Sequence, residues 1–332
     1  MSGVFYEGNA YQRIMAQSER LIVILVAMAA NVALALLKFA AFLLTGSPSM
    51  LAETYHSISD TGNQILLLVG MFYTRKEPTD LHPFGFGKAS FFYAFLVSVL
   101  LFGIAGWESL THGITSIRHG ATLAGGEITV RERTIPAVYL AYFVLSVTIL
   151  FDGISYWKAR VALDEETEIR GWRSFREAFT KTSDTPVLAV LTENAVAAAG
   201  ATIALVAIFA SQVTGNPIFD AIGAVLIGLL LMAFAIVLGI ENKRLLIGEG
   251  LSERHRQPLE GIVASHDGVV DVPELRSVYF GPDSVIVTAD VAFHPDLDTE
   301  TIDDLITEIE AALREREPLI EKVYIEPEIA DE

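Results

Sequence analysis

The chain contains no cysteine, which excludes disulfides, thiolate metal centres and thiol nucleophiles together. Charge is scarce. Charged residues make up 19% of its 332 positions and apolar types 52%, whereas an average soluble domain is about 25% charged; an ordinary soluble globular chain is excluded. Lysine is scarcer still, 7 against 16 arginines, and with the acid excess this suggests a high-salt cytoplasm. Bases are short overall, 23 against 41 acids. The shortfall sits in residues 251–332, where 21 acids face 6 bases for a net of −15, leaving −3 on residues 1–250. A tail of that sign repels phosphate backbones, so nucleic acid is not an expected partner.

What the chain has instead is long apolar runs. A membrane-crossing helix needs about 20 predominantly apolar residues, and six segments qualify: about 21–44, 49–72, 89–111, 136–157, 186–210 and 217–240. No cleavable signal peptide is expected, because the first run follows a polar start and is too long for an h-region. The loops between spans one and two and between five and six carry no Lys or Arg, and the loop between three and four carries Arg118, Arg131 and Arg133. The other thirteen of the 17 bases before residue 251, Lys38 within span one apart, lie at the N-terminus, in the remaining loops and after span six. The excess of positive charge on cytoplasmic loops then places both termini in the cytoplasm. The expected arrangement is an α-helical membrane protein with a six-span domain over 1–250 and an acidic cytoplasmic domain over 251–332.

In the tail, SERHRQPLEGIVASH reads as a helix, ELRSVYF and SVIVTADVAF as strands around Gly281-Pro282-Asp283, and EKVYIEPE as a last strand. Between them Ile302, Leu305, Ile306, Ile309 and Leu313 recur at helical spacing. The order αββαβ predicts a small α+β domain with its helices on one face of a sheet; whether VVDV adds an edge is left open by the pattern.

Ionisable groups inside a span are costly and mark function. Span two holds Glu53, His56, Asp60 and Asn63 or Gln64 at steps of three or four, on one helical face. His56 and Asp60 are an imidazole–carboxylate pair at i, i+4, able to grip one divalent ion or to act as a hydrogen-bonded packing pair. In span five, Glu193 and Asn194 precede Ala195, Ala197, Ala198, Ala199 and Gly200, small residues that admit a close neighbour; Glu193 reads as a metal ligand or proton carrier, or else as a polar packing contact. Asp152 in span four is a further acid for proton relay, support of the site or the interface. Lys38 can snorkel or pair with an acid, Glu108 lies near the outer end of span three, and Asp220 reads as a helix N-terminal acid.

These residues together resemble the cation diffusion facilitator family. The family's Gly-Ser, Ala and His-Ser-x-x-Asp signature stands here as Gly46, Ser47, Ala52, His56, Ser57 and Asp60, and HPFGFGK (His82 to Lys88) precedes span three. The resemblance implies a ferredoxin-like cytoplasmic domain, a homodimer, and proton-coupled antiport of divalent metal, zinc foremost, out of the cytoplasm. Zinc members of the family carry a second His/Asp-x-x-x-Asp in span five. Here Val190 and Asn194 occupy those positions, and the segment Leu191, Thr192, Glu193, Asn194 resembles instead a branch reading Leu-Leu-Glu-Asp, generally assigned to zinc. The implied metal set is His56, Asp60, Glu193 and Asn194, with Glu53, Asn63, Gln64 and Asp152 in support or in a proton relay. The metal is cargo and no cofactor is implied; the other partners are protons, the lipid bilayer and a second copy of the chain. The expected location is the cell membrane of a prokaryote. The absence of thiolates argues against a dedicated Cu(I) carrier. His255, His266 and His294 in the tail give no reliable match to the cytoplasmic zinc sites of well-known members and read as surface histidines. A transport-inactive metal-binding regulator or scaffold is the alternative, and a membrane metalloenzyme is a remoter one, since no HExxH occurs.

Overall fold

In the computed structural model, residues 28–120, 122–130, 133–170, 185–282 and 284–329 are described. The N-terminal bases, residues 21–27 of the first expected span, Arg131, Asp283 and most of the loop between spans four and five lie outside them. The helices are α1 (Met28–Thr45), α2 (Pro48–Thr74), α3 (Ala89–His119), α4 (Val138–Arg170), α5 (Thr185–Thr214) and α6 (Ile218–Ile247). All but α2 contain a stretch long and apolar enough to cross a membrane. α2 has the length, 27 residues, and its polar face lowers its hydropathy. The chain divides into two compact units, Met1–Ile65 with Val97–Val237, and Leu66–Leu96 with Leu238–Glu332.

In the first unit, small residues replace hydrophobic drive as the means of packing helices in lipid. α3 and α6 meet along glycines: a Cβ on Gly228 would lie 2.6 Å from the Leu110 amide nitrogen, and one on Gly113 2.8 Å from that of Val225. Gly223 of α6 rests on Ala207 of α5 and Ser49 of α2, and α4 packs along α5. α3 runs past its expected span to His119, and within it Leu101–Gly106 form a π-helical segment, with the Trp107 amide reaching the Phe102 carbonyl. α4 also runs past its expected end, since LDEET continues the helix after the apolar stretch stops. Gly46, at φ 66°, closes α1 in the left-handed conformation that glycine adopts without strain. An antiparallel hairpin, β1 (Glu127–Val130) with β2 (Arg133–Pro136), fills the loop after α3. Gly125 N–H donates to Thr45 O (3.0 Å) and Gln212 Nε2 to Ala124 O (2.6 Å), tying the segment before the hairpin to the ends of α1 and α5.

The second unit contains α7 (Glu253–Ala264), β3 (Val269–Gly281), β4 (Ser284–Phe293), α8 (Thr299–Arg316) and β5 (Ile320–Ile329). The expected αββαβ order is realised, and VVDV opens β3. The sheet order is β3-β4-β5, antiparallel then parallel, with Leu259, Val263, Val287, Ile309 and Leu313 in its core. Asp298 caps α8 by accepting from the Thr301 amide at 2.9 Å. The segment joining α2 to α3 lies on this sheet. The Phe84 ring is 5.6 Å from Phe280 and edge-on to Tyr324 at 6.5 Å, Lys322 Nζ stands 5.5 Å over Phe84, and Lys88 Nζ stands 5.4 Å over Phe280. A Cβ on Gly87 would strike the Phe280 carbonyl oxygen. Of the tail histidines, His255 faces Glu317 at 3.9 Å, His266 bonds the Ile262 carbonyl and His294 is exposed.

Candidate metal site

The position of α2 is set at its first turn. Ser47 is its N-cap, its Oγ accepting from the Met50 amide at 3.2 Å, and Pro48 suits the first helical position because it has no N–H to leave unsatisfied. Asp220 of α6 accepts from Ser47 Oγ (3.0 Å) and Ser49 N–H (3.1 Å), while Ser49 Oγ donates to the Asp220 carbonyl (2.7 Å). Asp220 is 0% exposed. It stands in the first turn of α6, as expected of a helix N-terminal acid, and it also serves the N-terminus of the neighbouring α2, whose unsatisfied amides face it.

Nine residues further along α2, His56 is 2% exposed and neither ring nitrogen has a hydrogen-bond partner among the described residues. Its Nε2 lies 3.5 Å from Asp60 Oδ2, beyond good hydrogen-bond range and close enough for one ion to bridge. Buried polar atoms are ordinarily paired, and an imidazole with no hydrogen-bond partner beside a carboxylate is a donor pair chemically suited to a divalent ion.

α5 supplies the opposite wall. A Cβ on Gly200 would lie 2.7 Å from Glu53 Oε1, which places these positions face to face. α2 and α5 run antiparallel: α2 and α6 start together at Asp220, and α6 returns along α5 after a short turn. Seven residues along each helix from that contact, about 10 Å by helical rise, Asp60 and Glu193 reach the same height. Glu193 is half-buried and lies within electrostatic reach of Asp60 and His56; Asp152 of α4 is within reach of His56, Asp60, Glu53 and Lys38. Asn194 and Asn63 are half-buried, and Gln64 holds a buried, unpartnered Oε1. The helices thus bring His56 and Asp60 into contact and gather Glu193 and Asp152 around them. They do not close three His, Asp or Glu side chains into one coordination set among the described residues.

Lys38 is resolved between its two expected behaviours. It is 1% exposed, so it does not snorkel, and its Nζ donates to Glu53 Oε2 at 2.8 Å. That pairing was missed as part of the site. Its only signal in the sequence was a lysine in span one matching an acid in span two.

Two family models match the chain: the cation efflux transmembrane domain over residues 24–247 and the cation efflux protein cytoplasmic domain over 251–329. Among curated proteins, metal tolerance protein C4 of Arabidopsis thaliana is 29% identical over 259 residues, covering 78% of this chain and 54% of that protein. The human mitochondrial proton-coupled zinc antiporter SLC30A9 is 27% identical over 271 residues, 82% of this chain and 45% of that protein. The chain therefore spans about half the length of these relatives. Among solved structures, a nickel form of a MamM CTD variant matches 24% of this chain and 99% of that one, at 19% identity and a TM-score of 0.23.

Proposed function

Given that the chain belongs to the cation efflux family, the cation diffusion facilitators, we propose that it exchanges a divalent metal cation, zinc foremost, for protons, and moves the metal out of the cytoplasm. The family is one of metal transporters rather than enzymes. The observation that carries the reading is the buried His56 with both nitrogens unpartnered, Asp60 at 3.5 Å, and Glu193 level with them across α5. Zinc takes imidazole nitrogen and carboxylate oxygen in tetrahedral sites. His56, Asp60 and Glu193 supply three donors and two negative charges, with Asn194, Asp152 or water as the fourth. Each of the three donors also binds protons, so metal and proton exclude one another, and a site opening alternately to either side exchanges them. Asn63 and Gln64, a turn further toward the cytoplasmic end of α2, line the approach.

In this reading both termini are cytoplasmic, the protein sits in a prokaryotic cell membrane, and two copies associate through the tails. The test is uptake by the full chain reconstituted in vesicles under an imposed pH gradient, with zinc, cadmium, manganese and iron compared. Gradient-driven zinc uptake lost in His56→Ala supports the reading. Zinc binding without uptake makes the chain a regulator, and uptake that survives His56→Ala removes this site from the pathway.

A further inference from the structure

The Lys38–Glu53 ion pair is more than helix glue, and the argument rests on the reading of His56–Asp60 as the metal site. A salt bridge between side chains 2% and 0% exposed carries a large desolvation cost, and hydrophobic replacements of buried pairs are often at least as stable. Stability alone is therefore a weak account of its presence. Its place is specific. Glu53 precedes His56 by three residues on the same face of α2, the Glu-x-x-His spacing by which helices in bundles present a carboxylate and an imidazole to one metal. Only Oε2 is engaged, by Lys38; Oε1 is buried, accepts no hydrogen bond among the described residues, and rests where α5 has Gly200 and no Cβ. The charges of both partners are felt at His56, Asp60 and Asp152.

We propose that Lys38 is a resident cation that occupies Glu53, holds that carboxylate out of the metal site, and so sets how tightly the divalent ion is bound. With Asp60 and Glu193 already facing the ion, a free Glu53 would add a third negative charge. Binding would then be too tight for release, and transport needs an ion held firmly enough to load and loosely enough to leave. The ammonium of Lys38 and the divalent ion compete for one carboxylate, which makes their relation a coupling free energy; such couplings typically span about 5- to 150-fold in affinity.

The experiment is calorimetric titration of zinc into the detergent-purified full chain, with thermal unfolding measured on every variant. Lys38→Met is expected to bind zinc about tenfold or more tighter and to transport it more slowly. Glu53→Gln, which leaves a bare ammonium by the site, is expected to bind at least about tenfold more weakly, and Lys38→Met/Glu53→Gln to return close to the parent. If Lys38→Met does not fold, the comparison of Glu53→Gln with the double variant decides, the double being tighter by about tenfold. Equal affinities in that comparison, or Lys38→Met losing stability with zinc affinity unchanged, would overturn the proposal. If the parent binds no zinc, or binds it as well as His56→Ala, it is the metal-site reading that fails.

Discussion

Glu193→Gln is the substitution that tests the site most directly. It keeps shape and hydrogen-bonding capacity and removes one charge. The antiparallel register of Glu53 with Gly200 brings Glu193 level with Asp60, so a divalent ion between them loses one of two facing carboxylates. Removing one partner of a buried ion pair costs about 3–5 kcal/mol; Glu193 is only half-buried, so the lower end, about 3 kcal/mol, applies. At about 1.4 kcal/mol per tenfold, that is roughly a hundredfold loss in zinc affinity. The assay is zinc titration alongside vesicle uptake, with Asp60→Ala as the reference for a dead site. Asn194→Asp, which moves toward the zinc members' pattern in span five, is expected to keep transport and tighten binding. Normal affinity and uptake in Glu193→Gln would remove Glu193 from the coordination set and pass its place to Asn194 or Asp152.

Gly228→Ala is expected to destabilise the chain by about 1–3 kcal/mol, the usual cost of overpacking, because its Cβ meets the backbone of Leu110 at 2.6 Å; Gly261→Ala, with nothing within 4 Å, should stabilise by about 0.5–1 kcal/mol, and thermal unfolding of the two checks both signs. Hydrogen bonds from the Thr301 side chain and amide hold the Asp298 carboxyl below its ordinary range. Its contribution to the tail is therefore complete above about pH 4 and lost as pH falls through the lowered value, so the difference in unfolding between the parent and Asp298→Ala should be constant from pH 8 to 5 and close below pH 4. Two tails of net −15 repel across a Debye length of about 10 Å at 0.1 M salt and 3 Å at 1 M, so self-association measured by ultracentrifugation should strengthen with salt, and a salt-independent constant would contradict that account.

Sequence pattern reached the elements governed by one local rule. Apolar runs marked the membrane helices, a period of 3.6 marked α8, alternation marked β4, and the i, i+4 step paired His56 with Asp60. It fell short where the deciding partner was distant in the chain. Asp220 could not be assigned to the start of α2 without knowing that α6 and α2 begin side by side. The pattern left Lys38 able to pair with an acid and put Glu53 on the polar face of α2, but that each is the other's partner, at 2.8 Å, was visible only in the fold. The π segment of α3 left no mark in hydropathy, since inserting one residue per turn changes the backbone and not the composition. The hairpin EITV/RTIP was not read from the sequence, because its strands are only four residues each and lie in a loop between two much stronger signals.

The seat of Phe84 on Phe280 and Tyr324 bears on how this molecule can be dissected. A fragment starting at residue 251 retains the whole αββαβ sheet and core, yet it strips from β3 and β5 a ledge of aromatic surface that the α2–α3 segment covers in the intact chain. Such a fragment would have a sticky face of its own making. Its oligomers, crystal packing and affinity for hydrophobic dyes would report on the cut as much as on the protein. The full chain carrying Phe84→Ser, measured beside the fragment, would separate the two.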